Sequence, residues 1–234
     1  MSDRKGSQTP EWIPVKEPST LEGLAQRPAR PLVVVISGPS GAGKDSLIRR
    51  MKELNVPFHF VVTATSRPPR PDEVDGVDYH FLSREQFEAS IRAGEFLEYA
   101  IVYGDYKGIP RWEIENALAS GKDVILRVDV QGAATLRRLI PEAVFIFVIP
   151  ASREELIERL RARGTETTES IARRLQAVEE ELKHWSEFDY VVVNRDQRLD
   201  EAVNDILAII RAEHCRVHPR QVDRDFSARD PEGE

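Results

Sequence analysis

The stretch of sequence that decides the fold is "VVVISGPSGAGKDSLIRRM", residues 33–51. A run of apolar, mostly β-branched residues leads into a glycine-rich turn, which ends at Gly43 and Lys44. An amphipathic pattern follows, with Leu47 and Ile48 on one face. Because β-branched runs favour strands and a helical period favours helices, this order predicts a buried strand, a tight turn and a helix.

The glycine-rich turn matches the phosphate-binding pattern G-x-x-x-x-G-K-[ST], the P-loop, except at its last position. Glycines let the backbone approach phosphates closely, and the loop amides and the following helix N-terminus attract anions. Lys44 would supply a cation to the β- and γ-phosphates of a nucleoside triphosphate. Asp45 stands where the pattern has a hydroxyl that contacts Mg²⁺. The candidate nucleotide-binding residues of this stretch are Gly38, Pro39, Ser40, Gly41, Ala42, Gly43, Lys44, Asp45 and Ser46.

Composition narrows the class of protein. A net charge of −7 argues against a general nucleic-acid-binding surface. No apolar run is long enough for a membrane span, and the N-terminus lacks a signal pattern. The single cysteine, Cys215, excludes an internal disulfide framework and a multi-cysteine zinc site. Together these features favour a cytoplasmic protein whose partners are small molecules, with neither nucleic acid nor membrane.

Strand-like and helix-like segments alternate through the middle of the chain. This alternation predicts an α/β fold with a parallel sheet between two layers of helices, whose ligand crevice lies at the carboxyl ends of the strands. We expect one continuous second strand, "FHFVVTAT", at residues 58–65, and an extended segment with a tight turn at 95–109. Helices should begin after Ser83, where Gln86 completes a capping box, and after Ser152.

A second anion site is indicated by "TATSRPPRPDEVDGVDYHF", residues 63–81. Arg67 and Arg70, with Tyr79 downstream, could bind a second phosphate, because the planar guanidinium group suits phosphate oxygens. The alternative is a solvated run of charges without a ligand.

At this point the chain resembles the guanylate kinase family over nearly all of residues 31–213. The matching stretches are "GPSGAGK", "SRPPRPDEVDGVDYHF", "GEFLEYA", "GKDVILRVDVQGA", "FVIPAS", "ERLRARGTETTESIARRL" and "FDYVVVN", in the family's order and spacing. The resemblance implies a P-loop three-layer α/β/α fold with a GMP-binding insertion and a helical lid. It also implies Mg²⁺-dependent phosphorylation of GMP, and of dGMP, by ATP in purine nucleotide metabolism.

The resemblance also implies how the chain is divided. One domain would cover residues 31–213, between flexible tails at 1–30 and 214–234. Its oligomeric state stays open between a monomer and a homo-oligomer. The parts of the domain would be a core (31–62, 110–152 and 184–213), a GMP-binding region (63–109) and a lid (153–183).

Site roles follow from the same resemblance. The implied GMP-binding residues are Thr63, Arg67, Arg70, Tyr79, Glu98, Lys107 and Asp129. Among them, Glu98 and Asp129 match carboxylates that recognise guanine. This fits the chemistry, since the N1–H and the exocyclic amine of guanine are donors. Adenine lacks both donors and would leave two buried carboxylates unpaired.

In the lid, the resemblance implies that Arg159 lies close to the adenine of ATP. Arg163 and Arg174 would converge on the transferring phosphoryl group and complete a catalytic set with Lys44. Asn194, after the last strand, matches a residue near the adenine. The alternatives are solvated surface for the arginines and an ordinary turn residue for the asparagine.

Four residues depart from the family pattern: Asp45, Arg127, Lys107 and Ile109. Arg127 stands where the family usually has an aspartate near the metal. We expect Asp45 to serve Mg²⁺, directly or through water, with Arg127 paired to it. The rival interpretation is an inactive site in which that pair excludes the metal. Ile109 removes a hydroxyl that in the family helps recognise guanine, which predicts weaker GMP affinity than is usual.

Two other functions stay open at this stage. Ribose 1,5-bisphosphate phosphokinases also resemble this fold and carry "GKDSL" at the P-loop. A guanylate-kinase-like interaction module without catalysis is the other alternative, although such modules typically lose the lysine that Lys44 supplies here.

Overall fold

The structure, a computed structural model, describes residues 20–22, 30–102, 104–162 and 168–222. Arg163 and nearly all of the predicted N-terminal tail lie outside this part of the chain. Within it the chain forms nine strands and seven α-helices.

The strands are β1 (Val33–Ser37), β2 (His59–Phe60), β3 (Ala64–Thr65), β4 (His80–Phe81), β5 (Phe96–Val102), β6 (Asp105–Pro110), β7 (Val124–Arg127), β8 (Val144–Pro150) and β9 (Tyr190–Asn194). The helices are α1 (Lys44–Glu53), α2 (Arg84–Arg92), α3 (Arg111–Ala119), α4 (Val130–Leu139), α5 (Arg153–Ala162), α6 (Thr168–Leu182) and α7 (Leu199–His214).

The central sheet is parallel, with the spatial order β2-β7-β1-β8-β9. Its inner strands β7, β1 and β8 are largely buried on both faces, as expected for crossover-connected parallel strands. On one face Leu136 of α4 packs with Ile114 of α3, and on the other Leu47 of α1 packs with Ile206 of α7. The predicted three-layer α/β/α architecture is therefore confirmed.

A second, smaller sheet has the order β4-β3-β6-β5 and contains the antiparallel hairpin of β5 and β6. Here the prediction of one continuous strand over residues 58–65 is wrong. His59 pairs with β7 in the central sheet, whereas Ala64 pairs with β6 in the small one. The chain changes sheets between these residues, because each half finds its hydrogen-bonding partner on a different strand.

The helix ends follow local sequence. Ser83 and Gln86 form the predicted capping box at α2, and the backbone N–H of Glu155 donates to Ser152 Oγ at α5 (3.1 Å). None of the described helices is long and apolar enough to cross a membrane.

Residues 214–222 differ from the predicted flexible tail, because they pack on the core. His214 is the last residue of α7, and its Nε2 lies 2.8 Å from Asp123 Oδ2. Arg220 donates to Ala143 O and to the Glu213 carboxylate, both at 2.9 Å. These contacts are made by charged side chains. The hydrophobic pattern of the sequence therefore does not reveal that the segment packs on the core.

Candidate active site

The P-loop lies at the carboxyl end of β1, as the sequence predicts. Gly38 has φ +137°, and a Cβ there would lie 2.1 Å from Val148 O. Gly43 has φ +88°, and its Cβ would lie 2.2 Å from Asn194 Nδ2. That amide nitrogen donates to Ala42 O at 2.8 Å. Both glycines are therefore required by close contacts as well as by backbone conformation.

Lys44 folds back on this loop. Its Nζ donates to Gly38 O and, at 3.1 Å, to Pro39 O. Burial lowers the pKa of Lys44 to about 8, and the nearby cation Lys107 lowers it further, against the opposing charge of Asp45. A polyanion bound in the loop would favour the charged ammonium again.

One cleft, with an empty volume of about 1060 Å³ including its open mouth, brings most of the predicted site residues together. Those that line it are Gly38, Ser40, Gly41, Gly43, Lys44, Asp45, Thr63, Arg67, Arg70, Tyr79, Glu98, Lys107, Asp129 and Arg174. Of the predicted residues that the structure describes, five lie outside its lining, namely Pro39, Ala42, Ser46, Arg159 and Asn194.

Arg159 connects α5 to the P-loop and to the end of β9 through hydrogen bonds. Its Nη2 donates to Asn194 O (2.9 Å) and its Nη1 to Ala42 O (3.4 Å). Together with the Asn194 amide, this arginine holds the outer side of the loop in place. Ser46, a predicted nucleotide-binding residue, is exposed on α1 and is not part of the cleft lining.

A pair of carboxylates occupies the far end of the cleft. Glu98 is 6% exposed. Burial raises its pKa to about 8, the negative charge of Asp129 adds to this, and Lys107 opposes it. Asp129 is the N-cap of α4, and its Oδ1 accepts from the backbone N–H of Gly132 at 3.0 Å. A Cβ at Gly132 would lie 2.9 Å from Glu98 Oε1, so this glycine leaves room for the carboxylate.

The predicted phosphate-binding arginines contact an internal carboxylate, Glu73. Arg67 donates to Glu73 through both terminal nitrogens at 2.6 Å, and the backbone N–H of Arg70 donates at 2.9 Å. Sequence reasoning missed Glu73, because one acid in a stretch dense in charge gives no sign of its partner. The two predicted residues therefore meet at one carboxylate.

The predicted pair of Asp45 and Arg127 is present. Arg127 Nη1 donates to Asp45 Oδ1 at 2.7 Å. Burial is the largest single influence on the pKa of Arg127 and opposes its charge. The charge and hydrogen bond of Asp45, with smaller contributions from Tyr79 and Asp78, together outweigh burial and raise the pKa of the guanidinium group. Only 12% of the Arg127 side chain is exposed, against 42% for Asp45, which also lines the cleft.

Glu181 is a second cleft residue that sequence reasoning missed. It lies on α6, and its Oε2 accepts from the backbone N–H of Ser40 in the P-loop at 3.2 Å. The run "EEEL" around it indicates only a solvated helix face. The sequence did contain one indication that Glu181 faces the cleft. It lies seven residues after Arg174, and positions seven apart share one face of a helix.

A parallel α/β sheet with a P-loop at the end of its first strand, facing a second cationic site across one cleft, defines a P-loop kinase. The guanylate kinase family model matches residues 29–213, which is most of the chain. The chain therefore belongs to the guanylate kinase family.

Individual relatives agree with this assignment. The chain is 51% identical over 196 residues to guanylate kinase 2, chloroplastic/mitochondrial, of Oryza sativa, covering 83% of this chain and 69% of the relative. It is 48% identical to the guanylate kinase of Symbiobacterium thermophilum, covering 79% and 87% respectively. The crystal structure of guanylate kinase from Anaplasma phagocytophilum superposes with a TM-score of 0.67 at 30% identity, covering 81% and 89%.

Proposed function

We propose that this chain transfers the γ-phosphoryl group of ATP to GMP, and to dGMP, giving ADP and the nucleoside diphosphate. The observation that carries the proposal is that one cleft is lined both by Lys44 of the P-loop and by the carboxylates Glu98 and Asp129. The names of the relatives support GMP as the acceptor. The product would enter purine nucleotide metabolism.

Each end of the cleft has a role in this reaction. Arg67 and Arg70 bind the phosphate of GMP in place of Glu73. Ionised Glu98 and Asp129 accept hydrogen bonds from the N1–H and exocyclic amine of guanine, and Thr63 lies near the base. Adenine has neither donor, so it would leave Glu98 without a partner and Asp129 with only the Gly132 N–H, at a cost of several kcal/mol.

Cationic groups on the donor side stabilise the transferring phosphoryl group. Lys44 and Arg174 line the cleft, and Arg163 completes the set. Phosphoryl transfer leaves the protein little covalent work, so alignment and positive charge supply the catalysis.

Mg²⁺ fits the residues of the cleft. The chain needs to supply only one carboxylate, because Mg²⁺ at such sites is held mostly by phosphate oxygens and water. Asp45 is that carboxylate, and its partial exposure leaves it accessible from the cleft. Bound Mg²⁺ would neutralise charge on the β- and γ-phosphates.

A substrate panel tests the acceptor. Purified protein is given ATP and Mg²⁺ with GMP, dGMP, AMP, UMP or ribose 1,5-bisphosphate, and ADP is measured. We expect turnover with GMP and dGMP, and none above background with the other three. Turnover with ribose 1,5-bisphosphate in preference to GMP would overturn the proposal, and folded protein inactive with every acceptor would indicate a binding module.

The metal role has its own test. Asp45→Ser should raise the Mg²⁺ concentration needed for half-maximal turnover and lower turnover itself, because Arg127 loses its partner. Glu53→Ser is the control, since it removes an exposed carboxylate at the far end of the same helix. Higher turnover of Asp45→Ser than of the parent protein would show that the carboxylate hinders the reaction.

A further inference from the structure

We propose that Arg127 is a positioning residue that couples the donor-side P-loop helix to the acceptor-phosphate site. The inference rests on the proposed function, since it concerns how the two substrates' sites act on each other. It starts from the three simultaneous contacts of one guanidinium group, which join elements on both sides of the cleft.

The first two contacts use the fork of the arginine. Nη1 donates to Asp45 Oδ1, on α1, at 2.7 Å, and Nη2 donates to Asp78 O at 3.0 Å. The first partner belongs to the P-loop helix and the second to the segment that leads into the acceptor site. A lysine has a single nitrogen and no planar fork, so it cannot reproduce this pair of bonds.

The third contact is with an aromatic ring. The Arg127 guanidinium group lies 4.3 Å from the ring centroid of Tyr79, and the Arg67 guanidinium group lies 4.8 Å from the same centroid. Both distances are within the range of cation–π attraction. Tyr79 therefore links Arg127 directly to the arginine that binds the acceptor phosphate.

Burial makes these contacts interdependent. The Arg127 side chain is 12% exposed, so water cannot readily replace a partner that is lost. When Asp45 changes, the guanidinium group must move or lose a charged partner, and either response disturbs Tyr79 and Arg67. An aspartate, which the family pattern has at this position, is too short and of the wrong charge to make the same contacts.

The decisive experiment measures GMP binding without the donor. Calorimetric titrations with GMP are carried out in EDTA, without ATP, on the parent protein and on Asp45→Asn and Arg127→Lys. We expect each variant to bind GMP about five- to tenfold more weakly. This is the size of effect expected when one desolvated cation–π contact, and the order that it gives to Tyr79 and Arg67, is lost. Arg138→Lys, an arginine of α4 whose guanidinium group lies 3.4 Å from Thr135 Oγ1, should bind within about twofold of the parent.

A double-variant comparison separates positioning from general destabilisation. If Arg127 carries the effect, Asp45→Asn should weaken GMP binding in the parent background but not in the Arg127→Lys background. Equal GMP affinity of Asp45→Asn and the parent would overturn the inference, as would strictly additive losses. A folded parent protein that binds no GMP would instead overturn the proposed function.

Discussion

Glu98 shows how one residue can carry both specificity and pH dependence. Its carboxylate lies opposite Ile109 in the hairpin of β5 and β6, and opposite residues of an antiparallel pair place their side chains on one face. Burial and the negative charge of Asp129 disfavour its own charge, which is why the pKa is raised to about 8. Recognition of guanine requires the ionised carboxylate, so GMP must bind against this protonation.

GMP affinity should therefore rise with pH. At a pH below the raised pKa of Glu98, GMP binding must release a proton from this carboxyl group. At a pH above it, the group is already ionised and no proton is released. We expect the dissociation constant to fall about five- to tenfold between about pH 7 and about pH 8.5, a range above the second phosphate pKa. Titration calorimetry measures it, and Glu98→Gln should give a weaker, flat profile. A flat profile in the parent protein would mean that Glu98 is already ionised at neutral pH.

Ile109, in the same hairpin, stands where a hydroxyl would help to bind guanine under the proposed function. It is fully buried and packs with Val61 and Leu97, so it contributes to the core and no hydrogen bond to the base. Ile109→Val removes one methylene group, at about 1 kcal/mol of stability, and Ile109→Thr should cost about 1–3 kcal/mol more, because it buries a hydroxyl in place of a methyl group of similar size. We expect the threonine variant to bind GMP about threefold or more tightly than the valine variant. Equal affinities would show that the base does not reach this position.

At the scale of elements, α6 presents groups of opposite charge to the cleft. Arg174 and Glu181 are seven residues apart and line the same cavity. The Glu181 carboxylate accepts a P-loop amide that would otherwise face a phosphate of ATP. Under the proposed function, Arg174 would attract the phosphates of ATP, whereas Glu181 would compete with them for the P-loop amide.

Removing that competition should strengthen ATP binding. Glu181→Gln keeps the size of the side chain and removes its charge, and we expect the dissociation constant of ATP to fall about three- to tenfold while that of GMP is unchanged. Glu180→Gln, at an exposed position one residue away, is the control. Weaker ATP binding by Glu181→Gln would show that the carboxylate orders the loop for the nucleotide instead of competing with it.

The elements also show what sequence could reveal. The P-loop strand and helix, β1 and α1, were predictable because their patterns are local. The division of residues 58–65 between two sheets was not, because β7 and β6 lie far away in the chain. The contact of Glu73 was equally hidden, since an acid on a polar surface has the same pattern whether it faces water or another side chain, and Glu181 was indicated only by its spacing of seven residues from Arg174.

At the scale of the whole molecule, residues 214–222 join the last helix to the central sheet around one buried carboxylate. The Glu213 side chain is 1% exposed and accepts from Tyr190 Oη at 2.6 Å and from Arg220 Nε at 2.9 Å. Burial opposes its charge, but the bonds from Arg220 and Tyr190 outweigh that effect and lower the pKa of Glu213. The stability it contributes is therefore present above the ordinary glutamate pKa and is lost as pH falls through the lowered one.

Arg220→Met should destabilise the protein without changing the cleft. It leaves a buried carboxylate short of its main partner, and we expect a loss of about 3 kcal/mol in the free energy of unfolding at neutral pH, measured by urea denaturation. Arg216→Met is the matched control, because that arginine is 49% exposed and lies 3.6 Å from the same carboxylate, and it should cost less than about 1 kcal/mol. In Arg220→Met the loss of stability on acidification should also shrink, since Glu213 no longer has Arg220 to lower its pKa. Equal losses in the two variants would mean that the segment is held by its backbone and by Val222 packing, not by the ion pair.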